Sequence, residues 1–341
     1  GDPARALRAI EPVAAHEPWH VPSHVLRQDA LALTGGEAQA KSWYASEAAE
    51  RPTDAARALL AARVGPRDGG ARESAYREAA AREETATWAR IALGYELVRR
   101  ARDDLARATK FGDDGFIAAA AAALQSRTDA YAEAEKTARA VALARPDLAA
   151  AQAALADVLL AITNDTPRNL APDAVRAAEA ALALDVGSAA AWARAGRARR
   201  AKTEDAAAAT AFERAVEIAP KNAGYRASWG RVLLDLRRDG DARDVLGHAA
   251  RLDPNDEATA VNYALSLFRT KDLSAAETEF VRATRLDPSD PRAFNGLALT
   301  RAERDDRAGA ADAMEKYLAV GGADRDAARR FIDEMRGAGK P

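Results

Sequence analysis

AAAWARAGRARRAKTEDAAAATAFERAVEIAPKN (residues 189–222) is followed without a gap by AGYRASWGRVLLDLRRDGDARDVLGHAARLDPND (residues 223–256), and the two strings overlay place by place. Two further copies start at Glu257 and Pro291, so one pattern recurs every thirty-four residues as far as Gly322. Pro220, Pro254, Pro288 and Gly322 put a helix breaker at the same place in each copy. The eighth place holds Gly196, Gly230, Ala264 and Ala298, and the twentieth holds Ala208, Ala242, Ala276 and Ala310. Large residues stand at the twenty-fourth place, Phe212, Leu246, Phe280 and Met314, while the twenty-seventh reads Ala215, Ala249, Ala283 and Tyr317. Small residues where two helices cross, with large ones filling beside them, describe a helix–turn–helix unit. Such a unit cannot bury its apolar face alone and must stack on its neighbours.

These four in-phase copies resemble the tetratricopeptide repeat family. The resemblance implies an all-α, right-handed α-solenoid that acts as a scaffold for protein or peptide partners. The chain departs from the family pattern at the eleventh place, where Arg199 and Arg301 stand beside the expected Leu233 and Leu267, and at the fourth, which reads Trp192, Arg226, Ala260 and Phe294. An arginine at such a place is expected to lay its stem on apolar surface and keep its head in water.

Composition narrows the function. Of 341 residues, 48% are hydrophobic but only 6% aromatic, much of the apolar share being alanine, which suits close helix–helix contact. Fifty basic against fifty-two acidic residues leave no positive excess for a phosphate backbone, so nucleic acid is not the expected partner. No cysteine is present, which excludes disulfides and thiolate chemistry and leaves the compartment open. The longest alanine-rich apolar run, Ile117 to Leu124, is far below the ~18 residues that suggest a membrane span. Alanine- and arginine-rich usage suggests a bacterial source, and by family analogy envelope assembly or secretion.

Along the chain, Gly1-Asp2-Pro3 reads as the turn before a second helix, like Asp239-Gly240-Asp241, with Ala6, Leu7, Ile10 and Val13 as an apolar stripe. A stripe whose first-helix partner is missing implies an upstream continuation or self-association through this end. Pro18 closes a half repeat of residues 1–20 and Pro52 follows thirty-four residues later, so Val21 to Asp54 reads as a full repeat with Ala40 and Tyr44 in the small and large slots. The next repeat covers 55–86, with a turn at 65–70. The register from 87 to 112 stays open, since Trp88, Ile91, Ala92 and Tyr95 fit one phase and Leu93, Gly94 and Leu97 another. Acids preceding arginines by four, Glu73–Arg77, Glu78–Arg82, Glu96–Arg100 and Asp103–Arg107, suggest solvated helix faces. Gly112 and Gly115 suggest a joint, giving an amino-terminal array of residues 1–112 and a carboxyl-terminal array of 113–324. Six surplus residues near 163–171 suggest a loop on one edge. Residues 325–341 supply a capping helix and tail, with Phe331, Ile332 and Met335 on its apolar face.

The order His16-Glu17-Pro18-Trp19-His20 spells the H-E-x-x-H zinc signature. That motif works on one continuous helix, and Pro18 and Pro22 forbid one here, so no metal or cofactor is expected. Asp305-Asp306 reads as a turn, and no nucleophile and base are grouped; a non-catalytic protein is expected. The resemblance implies that first-helix residues at the second, fifth, sixth and ninth places line the inner surface. Those places supply Arg194, Arg197, Ser228, Arg231, Val261, Asn262, Leu265, Arg292, Asn295 and Leu299. From these, Arg194, Arg197, Arg231, Asn262, Arg292 and Asn295 form a basic, amide-bearing wall suited to an acidic peptide. Asn262 and Arg292 match the family's clamp for a terminal carboxylate, whereas Ala227, Arg231 and Gly296 depart from it. Two alternatives remain: a regulatory arm of a larger enzyme, and a self-assembling scaffold.

Overall fold

The computed structural model describes residues 2–16, 19–51, 53–65, 69–81, 86–113 and 117–337, and all regular structure among them is helical. The chain divides into two compact units, Gly1–Asp185 and Val186–Pro341. The first holds α1 (Pro3–His16), α2 (Val21–Leu33), α3 (Glu37–Glu50), α4 (Ala55–Val64), α5 (Gly69–Ala80), α6 (Ala86–Asp113), α7 (Ile117–Ala144), α8 (Ala149–Asp165) and α9 (Ala171–Leu184). The second holds α10 (Ala189–Ala201), α11 (Asp205–Ile218), α12 (Ala223–Asp235), α13 (Asp239–Leu252), α14 (Glu257–Arg269), α15 (Leu273–Leu286), α16 (Pro291–Glu303), α17 (Arg307–Ala319) and α18 (Arg325–Arg336). Each helix of the second unit packs on the next in sequence, and α12, α14 and α16 also touch along their row, which is the connectivity of an α-solenoid.

The small and large slots mesh. Phe212, Leu246 and Phe280 are at most 2% exposed, and each finds its room at a glycine. A Cβ on Gly196 would lie 2.9 Å from the Phe212 ring, one on Gly230 2.4 Å from Leu246, and one on Gly296 2.2 Å from the Phe280 ring. Phe280 thus takes its space from the following repeat, because its own repeat carries Ala264 at the eighth place.

Between the two helices of each repeat one residue turns left-handed: Thr203, Arg237, Lys271 and Asp305, at φ of 60–65°. These are not glycines, and the turn precedes the Asp239-Gly240-Asp241 stretch, which forms the first turn of α13. Asp305 and Asp306 do form the turn, with Asp306 accepting from Gly309 N at 2.9 Å as the N-cap of α17. Two of the arginines that depart from the family pattern find partners within the protein. Arg226 donates to Pro220 O at 3.0 and 2.9 Å. Arg301 donates to Glu277 Oε1 at 2.8 Å and to Gly309 O at 3.3 Å.

In the first unit, α6 and α7 are 28 residues each and pack side by side. The expected division at 112/113 falls within the last turn of α6, and residues 114–116 lie outside the described ones. The acid–arginine pairs do not all run four residues apart along solvated faces. Glu73 is 8% exposed and accepts from both Arg77 and Arg100, at 2.8 and 2.6 Å, while Arg77 also pairs with Glu133 of α7. Glu96 pairs with Arg99, and Arg107 with the buried Asp104. Arg82 lies outside the described residues. These contacts tie α5, α6 and α7 together. The surplus segment near 163–171 is also tied down: Asp165 accepts from Arg102 and Tyr131 at 2.8 and 2.5 Å, and Arg168 pairs with Glu135 at 2.8 Å. Burial and then the Asp165 bond push the Tyr131 hydroxyl up to about 12.

At the start of the chain Asp2 accepts from the Ala4 and Arg5 amides and caps α1. Leu7 and Ile10 are half-buried where α1 packs on α2, while Ala6 and Val13 of the same stripe are exposed. At the other end α18 packs Ala328 and Ile332 against α17.

Candidate functional site

The first helices of the second unit start in phase, and three of the four carry a side-chain cap at the same place, Asp256 before α14 accepting from the Thr259 hydroxyl instead. Ser188, Asn222 and Asp290 accept backbone N–H groups from Ala191, Tyr225 and Arg292 respectively. Equal starts bring the fifth, sixth and ninth places of each helix to one side. Between α10 and α12 that side forms a cavity of about 240 Å3, lined by Arg194, Arg197, Asn222, Tyr225 and Ser228 over the Phe212 ring.

Arg231, on α12, is exposed and makes no ion pair or hydrogen bond among the described residues. Its charged neighbours are Arg200, Asp235 and Arg292. Burial of part of its side chain, then the like charges of Arg200 and Arg292, lower the affinity of its guanidinium for a proton, against the opposing pull of Asp235. Asp235 is itself bound by Arg200 at 3.1 Å. Arg231 is therefore a guanidinium held among like charges, and an incoming anion would relieve it. Asn262 and Asn295, on α14 and α16, are half-buried, and their side-chain amides have no hydrogen-bond partner among the described residues.

Two of the expected wall residues stand differently. Val261 is 6% exposed and belongs to the core between repeats, not to the surface. Arg292 is held by Asp290 at 2.7 Å and reaches Glu257 at 3.4 Å, so it is partnered within the protein. Leu299, 39% exposed, and the half-buried Leu265 leave apolar spots on the wall. The sequence reading missed Arg200, Tyr225, Asp235, Glu257 and Asp290. A usable signal was present: opposite charges one repeat apart. Arg63–Asp29 and Arg139–Asp173 are separated by thirty-four residues, Arg200–Asp235 and Arg292–Glu257 by thirty-five, and all four are ion pairs.

The histidine-rich stretch serves packing. His24 is 3% exposed; its Nε2 accepts from the Trp19 backbone N–H at 3.3 Å, and its Nδ1 meets the Tyr44 hydroxyl at 2.9 Å. Both ring nitrogens are spent, with the proton on Nδ1. The imidazole stacks on Trp19 and Trp43, and Arg27 and Arg57 lie over the two indoles at 4.7 and 4.1 Å. His20 bonds Ser23 at 2.7 Å, while Glu17 and Pro18 lie outside the described residues, as does the His16 side chain. Among the described residues no three metal-ligating side chains converge, and no helix is long and apolar enough to cross a membrane.

In-phase helix pairs stacked in a row, with a charged wall of first-helix side chains, define a helical-repeat interaction scaffold. Residues 189–222 match the sequence profile of the tetratricopeptide repeat. Three further copies follow that repeat in phase, so the second unit is built of tetratricopeptide-type repeats, a kind of module that binds protein or peptide partners. No curated protein matches it in sequence. Among solved structures it is similar to YrrB, described as a TPR protein with an unusual peptide-binding site, at 23% identity over 57% of this chain and 96% of that one, TM-score 0.48. PilW, a widely conserved type IV pilus biogenesis factor, is 19% identical over 54% and 87% of the two chains, TM-score 0.47. MamA from Desulfovibrio magneticus RS-1 is 19% identical over 50% and 97%, TM-score 0.44.

Proposed function

We propose that the second unit binds an extended, acidic segment of a partner protein along the first-helix wall formed by Arg194, Arg197, Arg231, Asn262 and Asn295. The observation that carries this reading is Arg231: an exposed guanidinium without an ion pair among the described residues, beside two further cations. A carboxylate there gains a charge-assisted hydrogen bond and relieves like-charge repulsion at the same time. The unpartnered amides of Asn262 and Asn295 suit the backbone of an extended segment, since each offers one donor group and one acceptor. Tyr225 and the Phe212 floor give the cavity an apolar contact that a flexible acidic chain can fill with one larger side chain. The role is recognition, and no bond is made or broken.

Fluorescence anisotropy with a labelled decapeptide of alternating Asp and Gly tests it, against the same peptide with Asn for Asp. The acidic peptide is expected to bind, the neutral one to bind far more weakly, and Arg231→Ala to weaken the acidic complex by about tenfold, the worth of one hydrogen bond to a charged group. Equal binding of both peptides, or no effect of Arg231→Ala, contradicts the reading.

A further inference from the structure

The start of α16 meets the start of α14 through three charged side chains. Asp290, 8% exposed, accepts from the Arg292 backbone N–H at 2.9 Å, and Arg292 Nε closes back on its two oxygens at 3.1 and 2.9 Å. The same guanidinium reaches Glu257 Oε2 at 3.4 Å. The other oxygen of Glu257, Oε1, is buried and has no hydrogen-bond partner among the described residues. One cation thus serves two carboxyl groups, one of which keeps a buried oxygen without a donor, an arrangement that is costly when both are ionised. A proton on Glu257 removes the surplus charge and supplies the missing donor toward Asp290.

The surroundings favour that proton. Burial first, then the hydrogen bond with Asp290, push Glu257 up to about 7. Burial also pushes Asp290 up, but its bonds with Arg292 and Glu257 outweigh this and hold it below the usual carboxylate range. The charged groups that face Glu257 are Asp290 and Arg292 at the start of α16 and Asp287 at the end of α15. From α12, Arg231 lies within electrostatic reach of Arg292.

We propose that Glu257 and Asp290 share one proton and act as a charge gate on the binding wall. With the proton in place, the pair carries one negative charge, balanced by Arg292. Without it, the pair carries two, draws Arg292 more firmly inward, and lowers the positive potential around Arg231. An acidic partner then binds less well. The gate closes as pH rises through neutrality and opens as it falls. Its regulatory role rests on the reading of this wall as the site for an acidic segment.

Two measurements on the full chain separate the parts. Carboxyl 13C NMR of the free protein, with Glu257→Gln to assign the signal, reads the proton directly. Loss of a proton near neutral pH is expected, and titration of Glu257 in the ordinary carboxylate range overturns the gate. Anisotropy with the alternating Asp–Gly decapeptide at pH 6 and pH 8 reads the consequence. Wild type is expected to bind on the order of threefold to tenfold more tightly at pH 6, the effect of one charge a few ångströms from the ligand in a water-like dielectric. Glu257→Gln is expected to bind at the tighter level at both. A normal near-neutral titration with the same pH ratio in both proteins overturns the regulatory role alone. No peptide binding at either pH refutes the wall reading and the regulation together, while a near-neutral titration would still establish the shared proton.

Discussion

The same substitution, glycine to alanine, is expected to have opposite effects at two helical positions of the second unit. At Gly240, in the first turn of α13, an added Cβ meets nothing within 4 Å. Alanine there restricts the unfolded chain and favours the helix, a gain of about 0.5 kcal/mol. At Gly296, inside α16, the added Cβ would stand 2.2 Å from Cε1, 2.3 Å from Cζ and 2.8 Å from Cδ1 of Phe280. Ordinary carbon contacts are ~3.5–4.0 Å, so the ring must move by more than an ångström. Phe280 is 2% exposed and set among Ala260, Ala264, Ala283 and Leu297, so it has little room to move. Overpacking of this kind costs about 1–3 kcal/mol, and the helix preference for alanine returns about 1. A net loss of up to about 2 kcal/mol follows. Urea unfolding followed by circular dichroism reads the difference as midpoints that move in opposite directions. Phe280→Leu, which shortens the ring contact, should recover part of the loss when added to Gly296→Ala. If Gly296→Ala is as stable as Gly240→Ala, the repeats are not spaced by these glycines and the packing argument fails.

Three further outcomes follow from single sites. Burial first, then Arg27 and His20, lower the pKa of His24 below 6.5, so at mildly acidic pH the unfolded chain takes up a proton that the folded one refuses. Stability from this group is full above pH 6.5 and is lost as pH falls below it; a series of thermal midpoints should show that slope in wild type and a flatter one in His24→Gln. Thr203 is a β-branched residue at φ 63°, so Thr203→Gly should raise stability by about 1 kcal/mol, and an unchanged or lower thermal midpoint counts against strain at that turn. Arg301→Leu should cost less than Arg301→Ala in urea unfolding, because leucine refills the eleventh place as in Leu233 and Leu267, and Glu277 keeps its pair with Arg304. Equal losses would mean that the bonds of Arg301 matter more than its volume.

The repeat was legible because its period is written in residue size. Gly196 opposite Phe212 and Gly230 opposite Leu246 are backbone-scale requirements, which composition alone expresses. The cap was equally plain, since Ala328 and Ile332 fall on one face of α18. What could not be read was whatever depended on a neighbour. Glu96 has arginines at both three and four residues' distance, and only the packing of α5 on α6 turns Arg100 to Glu73 and leaves Arg99 for Glu96. The left-handed turns at Thr203, Arg237, Lys271 and Asp305 carry none of the glycine that such backbone favours, so composition hid them. The wall was half legible. Spacing puts Arg231, Asn262 and Asn295 on first helices of the candidate wall, but the occupation of Arg292 by Asp290 and Glu257 needed the ends of two helices side by side.

The central claim is that partners are held on the first-helix side of the second unit. A photo-crosslinking residue at Asn262, on the wall, and another at Arg214, an exposed site on the second helix α11, test this when each is irradiated with the alternating Asp–Gly decapeptide. The account predicts a covalent adduct from position 262, lost at high salt, and none from position 214. An adduct from 214 alone, or equal adducts from both, would contradict it.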